Sequence, residues 1–214
     1  MSSRLFSYVV TYDSGFAPNP YGGILTLATC KPRIRATAQR GDWLLGTGSV
    51  QGVGAGRVVY AACITEVVPL EQYATDVRFA VKYPAVGKEP WQRHGDNIYT
   101  RLSDGTWHQR RNIHHVAKDI SRDLGGKNVL VCERFWYFGN AAPLLPEALA
   151  VLVKRGPGHR CEDSPALIAA LVSWLGTFTP GVSGAPFMET NAPCQSTETC
   201  HKQNTSPLRQ SQSF

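Results

Sequence analysis

The sequence predicts a mixed α+β domain, and three segments carry that prediction. Residues 5–12 are rich in aromatic and β-branched residues, which favour a strand. Residues 57–68 form the longest run of this kind and predict a strand through the centre of a sheet. Residues 164–178 place their apolar side chains at helical spacing, with Asp163 as N-cap and Pro165 in the first turn.

Composition predicts one domain over residues 1–180 and a disordered tail over residues 181–214. The tail is dominated by Ser, Thr, Gln, Asn and Pro and has too few apolar residues to offset the entropy of ordering it. The chain carries 22 Lys and Arg against 16 Asp and Glu, a net charge of +6, and the charges of the tail cancel. The positive excess therefore belongs to the folded part and favours a polyanionic partner such as nucleic acid.

The sequence predicts a cytoplasmic protein with reduced cysteines. Its first residues lead directly into a strand, and no apolar run approaches the length of a membrane span. Six cysteines in 214 residues do not form a disulfide scaffold. Cys194, Cys200 and His201 lack the usual spacing of zinc ligands, so neither a metal nor a cofactor is predicted.

The stretch of residues 31–49 is the strongest candidate for a binding site. Pro32 can open a helix, Gly41 can close it in a left-handed conformation, and Trp43 starts a buried strand. Four cations without an acid lie at its start, and the strand runs into the small polar loop 46–49. This combination predicts a pocket for an anionic or nucleotide-like ligand.

The remaining predicted elements are short. Residues 98–109 predict a hairpin, because Ser-Asp-Gly at 103–105 supplies the turn. Prolines stiffen the irregular loop 13–23. The other predicted strands cover residues 24–30, 129–132 and the aromatic run 135–138, and the other predicted helices cover residues 71–79 and 149–153.

Four of the six histidines fall between residues 94 and 115 and form a basic, titratable cluster. His108 is interpreted as part of the exposed end of the hairpin. His114 and His115 are adjacent and point in different directions, so one of the two can face a cleft and exchange protons near neutral pH.

Two further groups admit both a structural and a functional interpretation. The pattern of residues 95–99 is typical of a turn that enters a strand. It is also compatible with a site where Asp96 or Asn97 hydrogen-bonds a base while Tyr99 stacks on it. A nucleophilic enzyme would need Cys30 or Cys132 beside a histidine and an orienting carboxylate, although neither lies in a recognisable nucleophile turn. The chain has no HExxH, paired CxxC, GxGxxG or GxSxG motif, which argues against metalloenzymes, dinucleotide enzymes and serine hydrolases.

Several segments, in order along the chain, resemble the second family of nucleotide modification associated domains. They are Tyr-Val-Val at 8–10, Asp-Ser-Gly-Phe-Ala-Pro-Asn-Pro at 13–20, Cys-Lys-Pro-Arg-Ile-Arg at 30–35, Gly-Asp-Trp at 41–43, Gly-Thr-Gly-Ser at 46–49 and Phe-Trp-Tyr-Phe-Gly at 135–139. The resemblance implies handling of nucleotides or modified nucleic acid, in systems that modify DNA bases or defend against phage. It also implies partner proteins from such systems.

A helix followed by Gly-Asp and a hydrophobic strand is also similar to PUA-like barrels, whose ASCH, EVE and YTH members bind RNA or modified bases in a cleft. This analogy implies a small, mixed, partly open PUA-like β-barrel with flanking helices, followed by the disordered tail.

Two functions follow as expectations. The first is binding of a nucleotide or modified base, in which phosphate and base contact separate sets of residues. The phosphate would contact Lys31, Arg33, Arg35, Thr47 and Ser49, and the base would contact Asn19, Asp96, Asn97 and Tyr99. The second is an enzyme of nucleotide or base modification in the same cleft, with acid/base candidates Asp13, Asp76, Asp96, His114 and His115. A third alternative, a docking protein, would expose the aromatic run 135–138.

Overall fold

The computed structural model describes residues 3–85 and 89–190. The described strands are β1 (Leu5–Val10), β2 (Leu25–Leu27), β3 (Trp43–Gly48), β4 (Val58–Cys63), β5 (Glu66–Pro69), β6 (Tyr99–Arg101), β7 (Trp107–Gln109), β8 (Asn128–Cys132), β9 (Arg134–Tyr137), β10 (His159–Glu162) and β11 (Gly181–Val182). The described α-helices are α1 (Pro32–Thr37), α2 (Leu70–Thr75), α3 (Ile120–Leu124), α4 (Pro165–Leu175) and α5 (Phe187–Thr190). Turns of 3₁₀-helix cover Val77–Lys82, Pro90–His94, Ala117–Asp119, Gly139–Ala141 and Glu147–Leu152.

These strands form three sheets. The largest has the order β10-β1-β3-β4-β9-β11, in which β1 pairs in parallel with β3, β9 pairs in parallel with β11, and the other pairs are antiparallel. The second has the antiparallel order β2-β8-β5, and the third is the predicted hairpin β6-β7. The expected PUA-like barrel is not confirmed, because the described strands leave β10 and β11 as open edges of the largest sheet. The fold class that the structure supports is mixed α+β.

Side-chain alternation along β1 shows how the layers are built. Phe6 and Tyr8 point into the core between the two larger sheets, together with Ile34 of α1. Leu5 points to the opposite face, where α4 covers the six-stranded sheet, and Trp43 lies in that core as predicted. A third core lies on the outer face of the three-stranded sheet, under α2.

The predicted strand 57–68 is divided between two sheets, which corrects the expectation of one long central strand. The chain bends at Ile64, whose N–H donates to the carbonyl of Asp42, and Thr65 then donates to the carbonyl of Val131. The bend moves the chain from β4 in the six-stranded sheet to β5 at the edge of the three-stranded sheet. The apolar composition is the same on both sides of the bend, so periodicity could not locate it.

The boundaries of all four predicted helices differ from the expectation. The predicted helix 71–79 is divided into α2 and the 3₁₀ turn Val77–Lys82, and the predicted helix 149–153 overlaps the 3₁₀ turn Glu147–Leu152. Helix α1 begins at Pro32 as predicted but ends at Thr37, and Gly41 adopts its left-handed φ of 90° in the turn before β3. Helix α4 is capped by Ser164 rather than Asp163, because the Ser164 hydroxyl accepts the N–H of Leu167 at 3.4 Å.

The first ten residues of the predicted disordered tail belong to the fold. Strand β11 pairs with β9, placing Gly181 beside Trp136, and the N–H of Phe187 in α5 donates to Asp13 Oδ2 at 3.0 Å. The expectation of disorder is therefore wrong for residues 181–190. Residues 191–214, with Cys194, Cys200 and His201, lie outside the described residues.

Two other expectations concern exposure and membranes. The aromatic run 135–138 is buried, which removes the observation that a docking role would have needed. Within the residues that the structure describes, no helix is both long enough and apolar enough to span a bilayer.

Candidate active site

Cys30 lies in the turn that joins β2 to α1. It has φ of 56°, and Lys31 after it has φ of 39°, so two consecutive residues with side chains occupy the left-handed region that favours glycine. Hydrogen bonds hold this strained turn. The Cys30 N–H donates to Asp123 Oδ1 at 2.9 Å, and Arg35 Nε donates to the Cys30 carbonyl at 2.9 Å.

The thiol, an imidazole and a carboxylate form a continuous line. Cys30 Sγ lies 3.5 Å from Nε2 of His115, and His115 Nδ1 lies 2.5 Å from Asp123 Oδ2. The thiol and the carboxylate thus contact opposite nitrogens of one ring. Nucleophile, base and orienting acid have this order in enzymes that use covalent catalysis.

Local structure fixes the imidazole and the carboxylate. The backbone N–H of His115 donates to Asn112 Oδ1 at 2.6 Å, which orients the residue before the 3₁₀ turn Ala117–Asp119. Helix α3 then returns Asp123 to the ring, fully buried. Tyr99 Oη donates to Asp123 Oδ2 at 2.8 Å, so the carboxylate cannot rotate without losing a hydrogen bond.

Arg35 links the turn that carries Cys30 to the helix that carries Asp123. Its buried guanidinium donates to four carbonyls, those of Ala28, Cys30, Asp123 and Asn128. A Cβ at Gly126 would collide with this guanidinium, so a larger residue there would displace Arg35 from its hydrogen bonds. Burial lowers the pKa of Arg35 to about 10, against the opposing effect of Asp123, and the group remains charged at neutral pH. Arg35 therefore holds the nucleophile and the acid together.

The protonation states suit nucleophilic chemistry. Burial disfavours the charged form of His115, but its hydrogen bonds to Asp123 and Cys30 outweigh burial and raise its pKa to about 9. Burial acts against the ionised form of Asp123 as well, but the hydrogen bonds from His115 and the Cys30 N–H lower its pKa. An imidazolium beside the thiol is the arrangement that generates thiolate nucleophiles. Burial raises the pKa of Cys63, Cys132 and Cys161.

Cys30 lines a basic depression of about 430 Å³, which we name the Cys30 cleft. Its cationic or titratable lining consists of Lys31, Arg33, Arg122 and His159, and no described carboxylate lines it. Arg122 Nη2 lies 3.3 Å from His115 Nε2, at the reacting end of the imidazole. The cleft therefore favours an anionic ligand next to the thiol.

The model of the family described as nucleotide modification associated domain 2 matches residues 2–193. The chain belongs to this family. The match includes the described segment 181–190, in agreement with its place in the fold. No curated protein and no solved structure matches the chain.

In this nucleotide modification associated domain, the predicted phosphate ligands separate into three environments. Lys31 and Arg33 line the Cys30 cleft. Ser49 lines a second cavity, of about 780 Å³, which shares Lys31 and Gly158 with the cleft. Arg35 is wrongly predicted as a ligand, because its donors are satisfied inside the fold. Thr47 is wrongly predicted as well, because it is buried in β3, where its hydroxyl donates to the Tyr8 carbonyl at 3.4 Å.

The residues predicted to address the base are buried within the domain. Asp96 accepts hydrogen bonds of 2.7 Å from Thr26 Oγ1 and Tyr73 Oη, and Asn97 Nδ2 donates to the Tyr73 carbonyl at 2.9 Å. Asn19 Oδ1 accepts from the buried Nζ of Lys82 at 2.8 Å. Each of these side chains is at most 1% exposed, so none can reach a ligand. Tyr99, predicted to stack on a base, is buried and supports Asp123 instead.

The predicted acid/base residues divide in the same way. Asp13 anchors the C-terminal segment, since its carboxylate accepts hydrogen bonds from Tyr137 Oη and the Phe187 N–H. Burial raises the pKa of Asp13. Asp76 pairs with Arg78 at 2.7 Å near the surface and lines neither cavity. Of the five candidates, the structure places only His115 beside a reactive group.

His114 differs from its neighbour in environment. Its ring stacks on Phe16 with centroids 4.3 Å apart, and its Nε2 lies 2.8 Å from His94 Nδ1. Burial, reinforced by the adjacent His94 and His115, lowers the pKa of His114 to about 4. It is therefore neutral near pH 7 and packs beside the site.

The same three side chains also form a set of metal-ligand types. Donor atoms of Cys30, His115 and Asp123 lie within 4.8 Å of one another, and cysteine, histidine and carboxylate are all zinc ligands. However, Asp123 and Cys30 contact opposite ring nitrogens, and Asp123 also accepts from Tyr99 and from the Cys30 N–H. This arrangement fits proton transfer along the line better than convergence on one ion.

Proposed function

We propose that this domain is a cysteine-dependent enzyme of nucleotide or base modification that carries out acyl transfer through Cys30. The observation that carries the proposal is the continuous contact from Cys30 Sγ through His115 to Asp123 at the floor of a basic cleft. The family description supports a nucleotide as the substrate class. Simple binding would need the basic cleft but would not need an aligned thiol, imidazole and carboxylate.

The reaction follows from the geometry. The Cys30 thiolate forms a bond to the carbonyl carbon of an acyl group, and the bond from that carbon to its amine or alcohol leaving group breaks. His115 gives its Nε2 proton to the leaving group, which departs neutral. Water or a second amine then attacks the thioester carbon and transfers a proton to His115, and the bond from that carbon to sulfur breaks, which restores the Cys30 thiolate beside the protonated imidazole. Asp123 keeps the ring oriented and balances its positive charge throughout.

The cations of the cleft have a separate task. Lys31 and Arg33 can neutralise a phosphate of the substrate without contacting the reacting carbon. Arg122 lies beside Nε2 of His115 and can stabilise the oxyanion that forms when the thiolate attacks. Nucleotide or modified-base binding, the first expectation from the sequence, is in this proposal the first step of catalysis. Action within a DNA modification or anti-phage system, with partner proteins, belongs to the same proposal.

Trapping of the acyl-enzyme tests the proposal. The full chain is mixed with N4-acetyl and N6-acetyl deoxynucleotides, free and within oligonucleotides, quenched in acid within a second and analysed by intact mass and peptide mapping. An added acetyl group on Cys30 is expected in the wild type, none in Cys30→Ser, and an unchanged amount in the control Cys161→Ser, whose thiol lies outside both cavities.

Two results would contradict the proposal. One is release of the acetyl group at an equal rate by wild type and Cys30→Ser. The other is a stoichiometric zinc ion in native mass spectrometry that is lost in Cys30→Ser, which would assign the three side chains to a metal site.

A further inference from the structure

The 780 Å³ cavity lies next to the Cys30 cleft and is the larger of the two. Its lining comes mainly from the Gly-rich loop after β3 and from residues 153–158. Lys31 and Gly158 line both spaces, so a ligand held in the larger cavity can extend to the thiol. We name this space the Lys154 cavity after the cation on its outer wall.

The charges around the Lys154 cavity have one sign. Lys31, Lys154 and Arg155 line it, and no carboxylate among the described residues does so. The potential is strong enough to affect a neighbour, since burial and then Arg33, Lys31 and Lys154 lower the pKa of His159. Lys31 has no carboxylate partner in the described part of the chain, and its ammonium lies 4.3 Å from the centroid of the Tyr8 ring. An anion would supply the missing counter-charge.

The character of the lining indicates the rest of the ligand. Much of it is apolar, including Val9, Val153 and Pro157, and suits a flat organic group. Ser49 belongs to the same lining, but its hydroxyl is buried and is not counted as a ligand contact.

We infer that the Lys154 cavity is a binding site for a nucleoside monophosphate, whose phosphate is held by the cations and whose base and sugar lie against the apolar wall. A volume of several hundred Å³ is typical of small-molecule sites, and three cationic residues line this one space. A polynucleotide would instead require cations along an extended track. The role of this ligand as the substrate of Cys30 rests on the proposed function, whereas its binding does not.

Calorimetric titration of the full-length Cys30→Ser protein tests the inference without turnover. The probes are the four deoxynucleoside 5′-monophosphates, the matching deoxynucleosides, inorganic phosphate and a 12-nucleotide single strand. At least one monophosphate is expected to bind about tenfold or more tightly than its nucleoside and than phosphate, because both parts of the ligand contribute.

Matched variants locate the site. Ala150 lies on the exposed face of the 3₁₀ turn Glu147–Leu152 and lines the cavity, so Ala150→Trp fills the space without removing a charge. Ala150→Trp and Lys154→Ala are each expected to weaken the monophosphate by about tenfold or more, whereas Arg111→Ala, which removes an exposed charge outside the cavity, changes affinity less than about twofold.

Three results would overturn the inference: monophosphates that bind no better than phosphate, affinity that Ala150→Trp leaves unchanged, or measurable binding of the 12-mer alone. Binding without a Cys30 adduct would retain the site and reject the proposed reaction. A Cys30 adduct without monophosphate binding in the cavity would support the proposed reaction and reject the site.

Discussion

Asp123 and Asp96 occupy two clusters that are similar in composition and different in position. Each carboxylate is at most 1% exposed and accepts a hydrogen bond from a tyrosine hydroxyl, Tyr99 at 2.8 Å and Tyr73 at 2.7 Å. Asp123 also contacts an imidazole that reaches a thiol at an open cleft. Asp96 is otherwise bonded to Thr26 inside the fold and lines neither cavity.

The two carboxylates show that a perturbed pKa does not by itself identify a functional residue. Burial acts to raise the pKa of both carboxyls. At Asp96 burial prevails over the attraction of Lys82, whereas at Asp123 the adjacent imidazolium and the Cys30 N–H prevail, and the pKa falls. Burial and hydrogen bonding therefore occur in both clusters, and contact with a reactive group at an accessible surface occurs in one.

Asp96→Asn should have the largest effect on stability. The substitution removes a negative charge that faces the buried Lys82 and turns an N–H toward groups that donate to the carboxylate. The free energy of unfolding is expected to fall by about 2–4 kcal/mol, as for other broken buried polar networks. Urea denaturation followed by circular dichroism measures the loss. The rate of Cys30 alkylation in the folded protein should not change, and a parallel fall in that rate would show that the two clusters are one unit.

Asp123→Asn makes the same substitution in the other cluster. The amide no longer balances an imidazolium and favours the wrong tautomer of His115. Alkylation of Cys30 by iodoacetamide at pH 6 is expected to slow by about 10- to 100-fold, measured by peptide mapping of the folded fraction. Asp96→Asn is the control, and equal rates in the two variants would remove the distinction between the clusters.

The pH dependence of stability gives a smaller effect with a definite sign. The pKa of His115 is raised to about 9 in the folded protein, above its ordinary value of 6.5. The folded state binds the proton more tightly, so the stabilisation is fully present below pH 6.5 and is lost as the pH rises through 9. The difference in unfolding free energy between wild type and His115→Gln should shrink from pH 6 to pH 10. Urea denaturation at each pH measures this difference, and a difference that stays constant from pH 6 to pH 10 would contradict the raised pKa of His115.

Local patterns predicted much of the fold. Strand β1, the start of α1 at Pro32 and the hairpin β6-β7 follow from side-chain type and turn chemistry. The bend at Ile64 and the pairing of β11 depend on long-range hydrogen bonds, which leave no periodic signal. The segment 181–190 was grouped with the polar tail although it contains Val182, Phe187 and Met188. Its place in the fold depends on backbone pairing and on a few contacts, such as that between Phe187 and Asp13.

The site was predictable in parts. The basic stretch predicted Lys31 and Arg33 as phosphate ligands, and both line the Cys30 cleft. The sequence also named Cys30 as a nucleophile candidate that would need a histidine and a carboxylate, and His115 lies beside it. It did not identify Asp123, because an acid within the five-residue helix α3 carries no local sign that it is buried. The left-handed turn at Cys30 could not be foreseen, since neither Cys30 nor Lys31 is a glycine. Arg35 was predicted to bind phosphate but is buried, because a single sequence does not distinguish a buried arginine from a ligand-binding one.

The most direct test of the central claim is the rate of Cys30 alkylation at pH 6 in wild type and in His115→Ala, followed by peptide mapping so that other cysteines do not contribute. The Cys30–His115 contact predicts that the wild type reacts at least about tenfold faster than the variant, because the imidazole lies 3.5 Å from the thiol and activates it for attack. Equal rates in the two folded proteins would contradict a nucleophile at Cys30 activated by His115.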